Sequence, residues 1–283
     1  MTGWSASAIR AIGGREYAYM AKDLIVPLVV PMLFAVIAVI VFLVGDRLRP
    51  DSWRQSDDEA SHGLVLDLVN MFFAAVVAFV VVIAWQQYDN AHAHTVDEAK
   101  ALLEIHAAAG ELDGAEGPRI QELAQAYTDE VVSREWAVMD EEGRLSADAQ
   151  QRLDALGAAV TAVPATDPQV AEVRTGMLTA LGTVEEARYD RALDAEYHMP
   201  RFLYIALWLA TAMLLSATVL SGVVVTRKSV IMTALFGLVV GGVIIAVYQL
   251  DRPFSGGNVV SKDAFELTLS RFADQAGDTG TGS

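Results

Sequence analysis

Apolar positions fall along this chain in four long blocks, separated by polar sequence with a helical rhythm of its own. The blocks cover residues 24–44, 64–86, 200–225 and 230–250, each near the roughly 20 residues a helix needs to cross the hydrocarbon core of a bilayer. The first comes after a polar segment, residues 1–23, that carries Arg10, Arg15 and Lys22. A cleaved leader would show a shorter apolar core and a small-residue cleavage site, so this block reads as a retained span. Its Pro27 and Pro31 are expected in the first turns, where a missing N–H costs least. A polar connector, residues 45–63, leads to the second block. Neither Pro nor Gly occurs from Leu64 to Ala109, which predicts one long helix that leaves the bilayer and enters water. Trp85 and Tyr88 stand where aromatic belts stand, at headgroup level.

The polar insert, residues 87–199, reads as helices throughout. Gly110, Gly114 and Gly117-Pro118 mark its first turn. A helix over 118–139 then places Ile120, Leu123, Tyr127, Val131 and Trp136 at helical spacing. Asp140-Glu-Glu-Gly143 ends it, and a further helix over 146–163 carries Leu153, Leu156 and Val160. Thr166 with Gln169 fits a capping box and Pro168 suits the first helical position. The helix they open has a stripe of Val170, Val173, Met177, Leu181, Val184 and Ala187, and continues to about Tyr197. Blocks three and four are joined by Thr226-Arg-Lys-Ser229 alone, so they form an antiparallel hairpin. Gly237 and Gly241 give block four a small-xxx-small pattern, read as close helix packing with a hinge as the alternative. The tail, residues 251–283, holds an amphipathic stretch over 262–272 and a Gly/Thr/Ser end expected to be disordered. The fold class is an all-α membrane protein: four transmembrane helices, with an acidic helical soluble domain between spans two and three that extends from the membrane helices.

Mean hydropathy is +0.35, with 53% hydrophobic and 20% charged residues, which fits a membrane protein with a large wet part. The absence of cysteine excludes disulfides, a thiol nucleophile and Cys-ligated metal. Between Asn90 and Pro200 stand 22 acidic and 8 basic side chains, so most of the net charge of −16 is in the insert. Such a surface excludes nucleic acid as a partner, because phosphate neutralisation needs Lys and Arg. His92 and His94 point about 200° apart on a helix and cannot chelate one ion together. His92 with Asp89, or His94 with Glu98, has chelating spacing, against the plainer reading of solvated juxtamembrane polarity; His106 and His198 stand isolated. Phosphate loops and a G-x-S-x-G elbow are missing. The carboxylates read as helix-face solvation. No enzyme, no cofactor and no metal site is expected. Four spans put both termini and the insert on one side, and the Lys/Arg distribution does not decide which.

Trp85-Gln-x-Tyr88-Asp89, Glu135-Trp136, Glu185-Glu-Ala-Arg188 and Leu250-Asp-Arg-Pro-Phe-Ser-Gly256 resemble the bestrophin-like family of bacterial integral membrane proteins, formerly a domain of unknown function. The resemblance covers about residues 25–272, and its last motif is the most specific. It implies a distant likeness to bestrophins: pentameric ion channels with four spans and a cytosolic helical domain between spans two and three. It also implies that the acidic domain and the termini are cytoplasmic. The chain departs from bestrophins in one respect. They carry an acidic run after the last span that clasps calcium, whereas here only Asp251 stands next to the membrane, and the run Asp140-Glu-Glu142 lies in an insert turn. Calcium gating is not carried over.

The leading functional expectation is a homo-oligomeric channel for small inorganic ions in the lipid bilayer, a pentamer by resemblance only. Span two would line the pore, with Phe72, Val76 and Phe79 as an apolar neck that gates by dewetting. The same residues also read as ordinary lipid or helix contacts. Asp67 and Asn70 either reach the interface or face a water-filled pore mouth. Acidic charge at the mouths would favour cations slightly. Trp85, Tyr88, Asp89, Asp251, Arg252, Pro253 and Phe254 are expected to couple membrane and soluble parts, with Arg252 pairing to an insert acid or a lipid phosphate. The alternative is a non-conducting, membrane-anchored helical scaffold or sensor. A secondary transporter ranks third, since inverted repeats and broken midplane helices are not seen.

Overall fold

The structure, a computed structural model, describes residues 6–48, 59–165, 167–220, 224–256 and 259–280. Among these residues there is no strand. The helices are α1 (Ala6–Leu48), α2 (Glu59–Ala109), α3 (Glu116–Glu130), α4 (Trp136–Glu142), α5 (Ala147–Ala162), α6 (Pro168–Glu196), α7 (Arg201–Leu220), α8 (Arg227–Leu250) and α9 (Asp263–Gly280), with a π-helical segment, Val131–Glu135, joining α3 to α4. Four helices contain stretches long and apolar enough to cross a membrane: Ile25–Leu48, Asp67–Ala109, Arg201–Leu220 and Arg227–Leu250. The chain is an all-α membrane protein.

It forms two compact units, Met1–Trp85 with Met199–Asp251, and Gln86–His198 with Arg252–Ser283. In the first unit, α7 turns Leu203, Leu207, Ala210, Thr211, Leu214 and Ala217 inward. Leu203 and Leu207 meet Val80 and Ala84 of α2, with Val247 of α8 and Met199. The α8 glycines admit α1: a Cβ on Gly237 would fall 2.8 Å from Ala35 Cα, and one on Gly241 2.6 Å from Pro31 Cα. Any side chain there would force the two backbones apart.

Four local expectations are corrected. Pro27 and Pro31 lie in the interior of α1, not in its first turns, because that helix begins at Ala6. They are spaced i, i+4, so Pro31 lacks the N–H that would have bonded the carbonyl of Pro27, Pro27 lacks the one that would have bonded the carbonyl of Asp23, and the two gaps in the ladder fall one turn apart. The predicted 118–139 helix is split by the π segment. Helix α6 is capped by Asp167, whose carboxylate accepts from the N–H groups of Gln169 and Val170; Pro168 does take the first position, and Thr166 lies outside the described residues. Helix α9 runs past 272 to Gly280, so the end expected to be disordered is helical up to that point, and 281–283 lie outside the described residues.

The second unit has a dense core. Leu102, Ile105, Ile120, Tyr127, Leu156, Val160, Met177, Phe265 and Phe272 are buried within it, and each large apolar side chain removed from water contributes about 1.5–3 kcal/mol. Helix α9 belongs to this core. The Thr268 hydroxyl donates to the carbonyl of Ala99 at 3.1 Å. The His106 ring stacks on Phe272 at 4.1 Å, and its Nδ1 lies 2.7 Å from Gln275 Oε1, so His106 is not isolated.

Candidate functional site

Two places in the molecule carry the residues that sequence reading singled out, one in each unit. The first is the outer surface of α2. Phe72 is 52% and Phe79 59% exposed, whereas Val80 and Ala84, about a quarter-turn or more round the helix, are buried against α7 and α8. Val76 lies between these faces, half-buried and packed against the Val80 cluster. Phe72 and Phe79 thus form one outward ridge, and Val76 is turned partly inward. Asp67 and Asn70 are exposed, but helix geometry points them about 140° and 160° away from Phe72. They do not share the Phe72–Phe79 face.

The second place is a buried charge node in the polar unit, where the expectation that carboxylates merely solvate helix faces fails. Glu98 of α2, Glu135 at the end of the π segment, and Arg188 and Arg191 of α6 are all buried, Glu98, Glu135 and Arg191 completely. Arg191 forks onto Glu98, with Nε 2.9 Å from Oε2 and Nη2 3.0 Å from Oε1, and Nη2 also lies 2.8 Å from Glu135 Oε1. Arg188 forks onto Glu135 at 2.9 Å through both terminal nitrogens, and its Nε donates to Gln150 Oε1 at 2.9 Å. The Tyr127 hydroxyl donates to Glu98 and accepts from Arg188. The backbone N–H of Ser146, the residue that caps α5, donates to Glu135 Oε2 at 2.9 Å. Two acids thus meet two arginines in bidentate geometry, with the remaining lone pairs satisfied, and this is the condition under which buried charge is tolerated.

Aromatic faces close the node. The Arg191 guanidinium lies over the Trp136 ring at 5.4 Å and the Phe265 ring at 5.5 Å. Burial alone would raise the Glu135 carboxyl, but Arg191, Arg188 and the Ser146 N–H hold it below the usual carboxylate range. Burial, reinforced by Glu98, pushes the Tyr127 phenol well above its ordinary value. Glu135 is thereby held as a carboxylate and Tyr127 as a neutral phenol near neutrality. The node joins α2, α3, α5 and α6 through complementary charge.

The closing motif is divided between the two units. Asp251 belongs to the first: its carboxylate accepts from the Met199 N–H and the Tyr204 hydroxyl, both at 2.6 Å, and so ties the start of α7 to the end of α8. Pro253 and Phe254 are buried in the second unit. Phe254 packs with Ala91, Met139 and Val260, beside Tyr88 and Trp136. The Trp136 indole N–H donates to the carbonyl of Val260 at 2.9 Å, and Gly256 N–H reaches Asp140 Oδ1 at 3.2 Å. Tyr88 and Phe254 are brought together. Trp85 and Asp89 remain exposed, and Arg252 is half-buried.

A family model described as a bestrophin-like domain matches residues 32–265. The chain belongs to the bestrophin-like family. Among solved structures, this bestrophin-like chain is similar to a bacterial bestrophin homologue from Klebsiella pneumoniae carrying a point substitution, at 12% identity and a TM-score of 0.63, over 90% of this chain and 99% of that one. It is also similar to a membrane protein carrying a substitution, again at 12% identity and TM-score 0.63, over 87% of this chain and 98% of that one. At this identity the likeness is one of fold, a membrane fold of the bestrophin kind. No curated protein matches the sequence.

The sequence motifs gain a physical meaning from the node. Glu135-Trp136 supplies a carboxylate and the ring above Arg191, and Glu185-Glu-Ala-Arg188 ends on the partner of Glu135. The pairing of Glu98 with Arg191, 93 positions apart in sequence, was missed: sequence reading weighed Glu98 only as a chelating partner of His94, whereas the structure gives its carboxylate to Arg191. A usable signal existed: the α6 core stripe of Met177, Leu181, Val184 and Ala187 continues at helical spacing onto Arg188 and Arg191, an arginine pair on an apolar face.

Proposed function

We propose that this bestrophin-like chain is the subunit of an oligomeric ion channel, with α2 lining the pore and Phe72 and Phe79 forming its neck. The observation that carries this reading is the outer face of α2. Only 11% of that span's most apolar window is buried within the chain, against 17% for span one and 33% for spans three and four. Leu68, Phe72, Ala75, Phe79 and Val82 make a continuous uncovered line along it. Membership of the bestrophin-like family and the fold likeness to a bestrophin homologue support the same reading.

A ring of copies would turn that line toward a common axis, where apolar walls a few water diameters apart favour vapour over liquid and set a desolvation barrier to ions. Val76 shapes the neck from behind, through its contact with the Val80 cluster. Asp67 and Asn70 stand near the outer end of span two and meet water or headgroups there. The acidic unit, with both termini, faces the cytoplasm and concentrates cations at that mouth, so cations are favoured slightly over anions.

The test is ion flux through purified protein in liposomes. Phe72→Ala and Phe79→Ala widen the neck and Phe79→Ser also wets it, so flux should rise in each while selectivity relaxes. Wild type and all three variants no faster than empty liposomes would overturn conduction and leave a membrane-anchored scaffold. A monomer in detergent would overturn the ring.

A further inference from the structure

The node accounts for much of the buried charge in the polar unit, and outside it Glu130 is balanced by Arg134 and Arg152, whereas a histidine with two acids is not so balanced. His94 stands on α2 one turn before Glu98 and faces α6. Its Nδ1 is 2.7 Å from Asp194 Oδ2, and its Nε2 is 3.8 Å from Asp190 Oδ2. The side chains of His94, Asp194 and Asp190 are 29%, 16% and 37% exposed, so the trio is shielded without being sealed. Asp190 and Asp194 are one turn apart on the same helix, where like charges repel.

The basic groups nearby in sequence are committed elsewhere. Arg188 and Arg191 turn inward to Glu135 and Glu98, and Lys100 lies 3.9 Å from Asp97. The charged groups acting on Asp194 are His94 and Asp190. Burial, with Asp190 adding to it, holds the Asp194 carboxyl above the usual range against the pull of His94. Around His94, one turn from the Glu98–Arg191 pair, the contact between α2 and α6 therefore sets two acids together with no cation whenever the imidazole is neutral.

We propose that His94, Asp190 and Asp194 form a proton-operated latch between α2 and α6, tightened when His94 takes up a proton. The neutral ring donates one hydrogen bond to one carboxylate. The imidazolium turns that bond into a charge-assisted one and places a cation between two carboxylates, with Asp190 Oδ2 at 3.8 Å as an ion-pair contact, and a hydrogen bond to a charged partner is roughly twice as strong as a neutral one. Histidine is the side chain whose charge changes within the physiological range. The raised Asp194 carboxyl acts in the same sense, because the paired state holds protons more readily than the parted one. Acid closes the latch and alkali loosens it. The neighbouring His92 is exposed and lies about 200° round the helix from His94, so it takes no part.

The latch lies wholly within the polar unit and does not depend on conduction; only its effect on flux rests on the channel reading. The direct test is hydrogen exchange of the full-length protein in detergent, corrected for intrinsic rates, at pH 5.5 and 7.5. Wild-type protection of the amides around 91–98 and 187–194 should rise about fivefold toward the lower pH. His94→Gln should abolish that rise, as should Asp194→Asn, while His92→Gln should retain it. A rise of the same size in His94→Gln and Asp194→Asn would overturn the latch, and so would the absence of any rise in wild type. Liposome flux at the same two pH values is a separate readout. If no variant conducts while the exchange difference persists, the channel reading fails and the latch stands.

Discussion

Helix α7 in the membrane unit and helix α6 in the polar unit both bury large apolar side chains, but they differ in what else they bury and in what they leave outside. Helix α7 hides Ala210, Thr211 and Ala217 beside its three buried leucines and turns Phe202, Ile205 and Trp208 outward, each more than half exposed. Helix α6 hides Arg188 and Arg191 beneath a surface of Glu and Asp. The difference arises from the two solvents. Lipid is as apolar as leucine, so a helix gains nothing by hiding its large apolar side chains and associates through small residues that fit closely. Water rewards burial of the large apolar groups, and a buried guanidinium is then tolerated only if its partners are complete. The membrane unit should accordingly be sensitive to the size of a side chain, and the polar unit to its charge.

The largest expected effect is in the node. Glu98→Ala leaves Glu135 alone to balance two buried guanidinium groups and should cost about 3–5 kcal/mol, read as lost exchange protection or a lowered unfolding midpoint of the polar unit. Glu98→Leu combined with Arg191→Met removes both charges and should recover most of the loss. No recovery would mean that the node's hydrogen bonds, not its charge balance, set the stability. The same node predicts an acid limit. The Glu135 carboxyl is depressed in the folded state, so its contribution is complete above the unfolded carboxylate value of about 4.3 and disappears as pH falls through the lower folded value.

Size is tested next, in the membrane unit. Gly241→Ala sets a Cβ against Pro31 Cα and should cost about 1–3 kcal/mol in the thermal stability of detergent-solubilised protein. Gly242→Ala, with nothing within 4 Å, should leave the midpoint unchanged. Equal losses in the two would show that α1 and α8 do not depend on close approach. A smaller change is expected at Asp251, a point where the membrane unit does use charge: Tyr204→Phe removes one of its two donors and should cost about 1–2 kcal/mol in the same assay. The smallest effect belongs to the surface. Arg144 and Glu142 pair while 59% and 49% exposed, so Arg144→Ala should change stability by less than about 0.5 kcal/mol.

Legibility in the sequence divides along the same line. The membrane spans announce themselves through their own composition, residue by residue, and the long α2 through the lack of any breaker after Leu64. Gly237 and Gly241 speak through a spacing of four. The node does not, because the partner of Glu98 lies 93 positions away, and on a helical wheel Glu98 looks like any solvated acid of a chain with a net charge of −16. The π segment is equally hidden: Val131-Val-Ser-Arg-Glu135 holds no Gly or Pro, and the partners that its Glu135 meets, Arg188, Arg191 and Ser146, all come from later in the chain. Local signals are visible where a residue acts alone or with its near neighbours, and lost where its role is assigned from across the fold.

That π segment also bears on how such a sequence can change over generations. A π turn is what a helix makes of one residue too many, and it leaves the turns on either side intact. Deleting one position from Val131 to Arg134 would restore the ordinary ladder and leave α4 in phase with α3, so that Glu135 stays on its arginine and Trp136 over the guanidinium it covers. The same loss within α3 or α4 would swing everything downstream by about 100°. What inheritance has to preserve in this stretch is the name of its last residue more than the number before it.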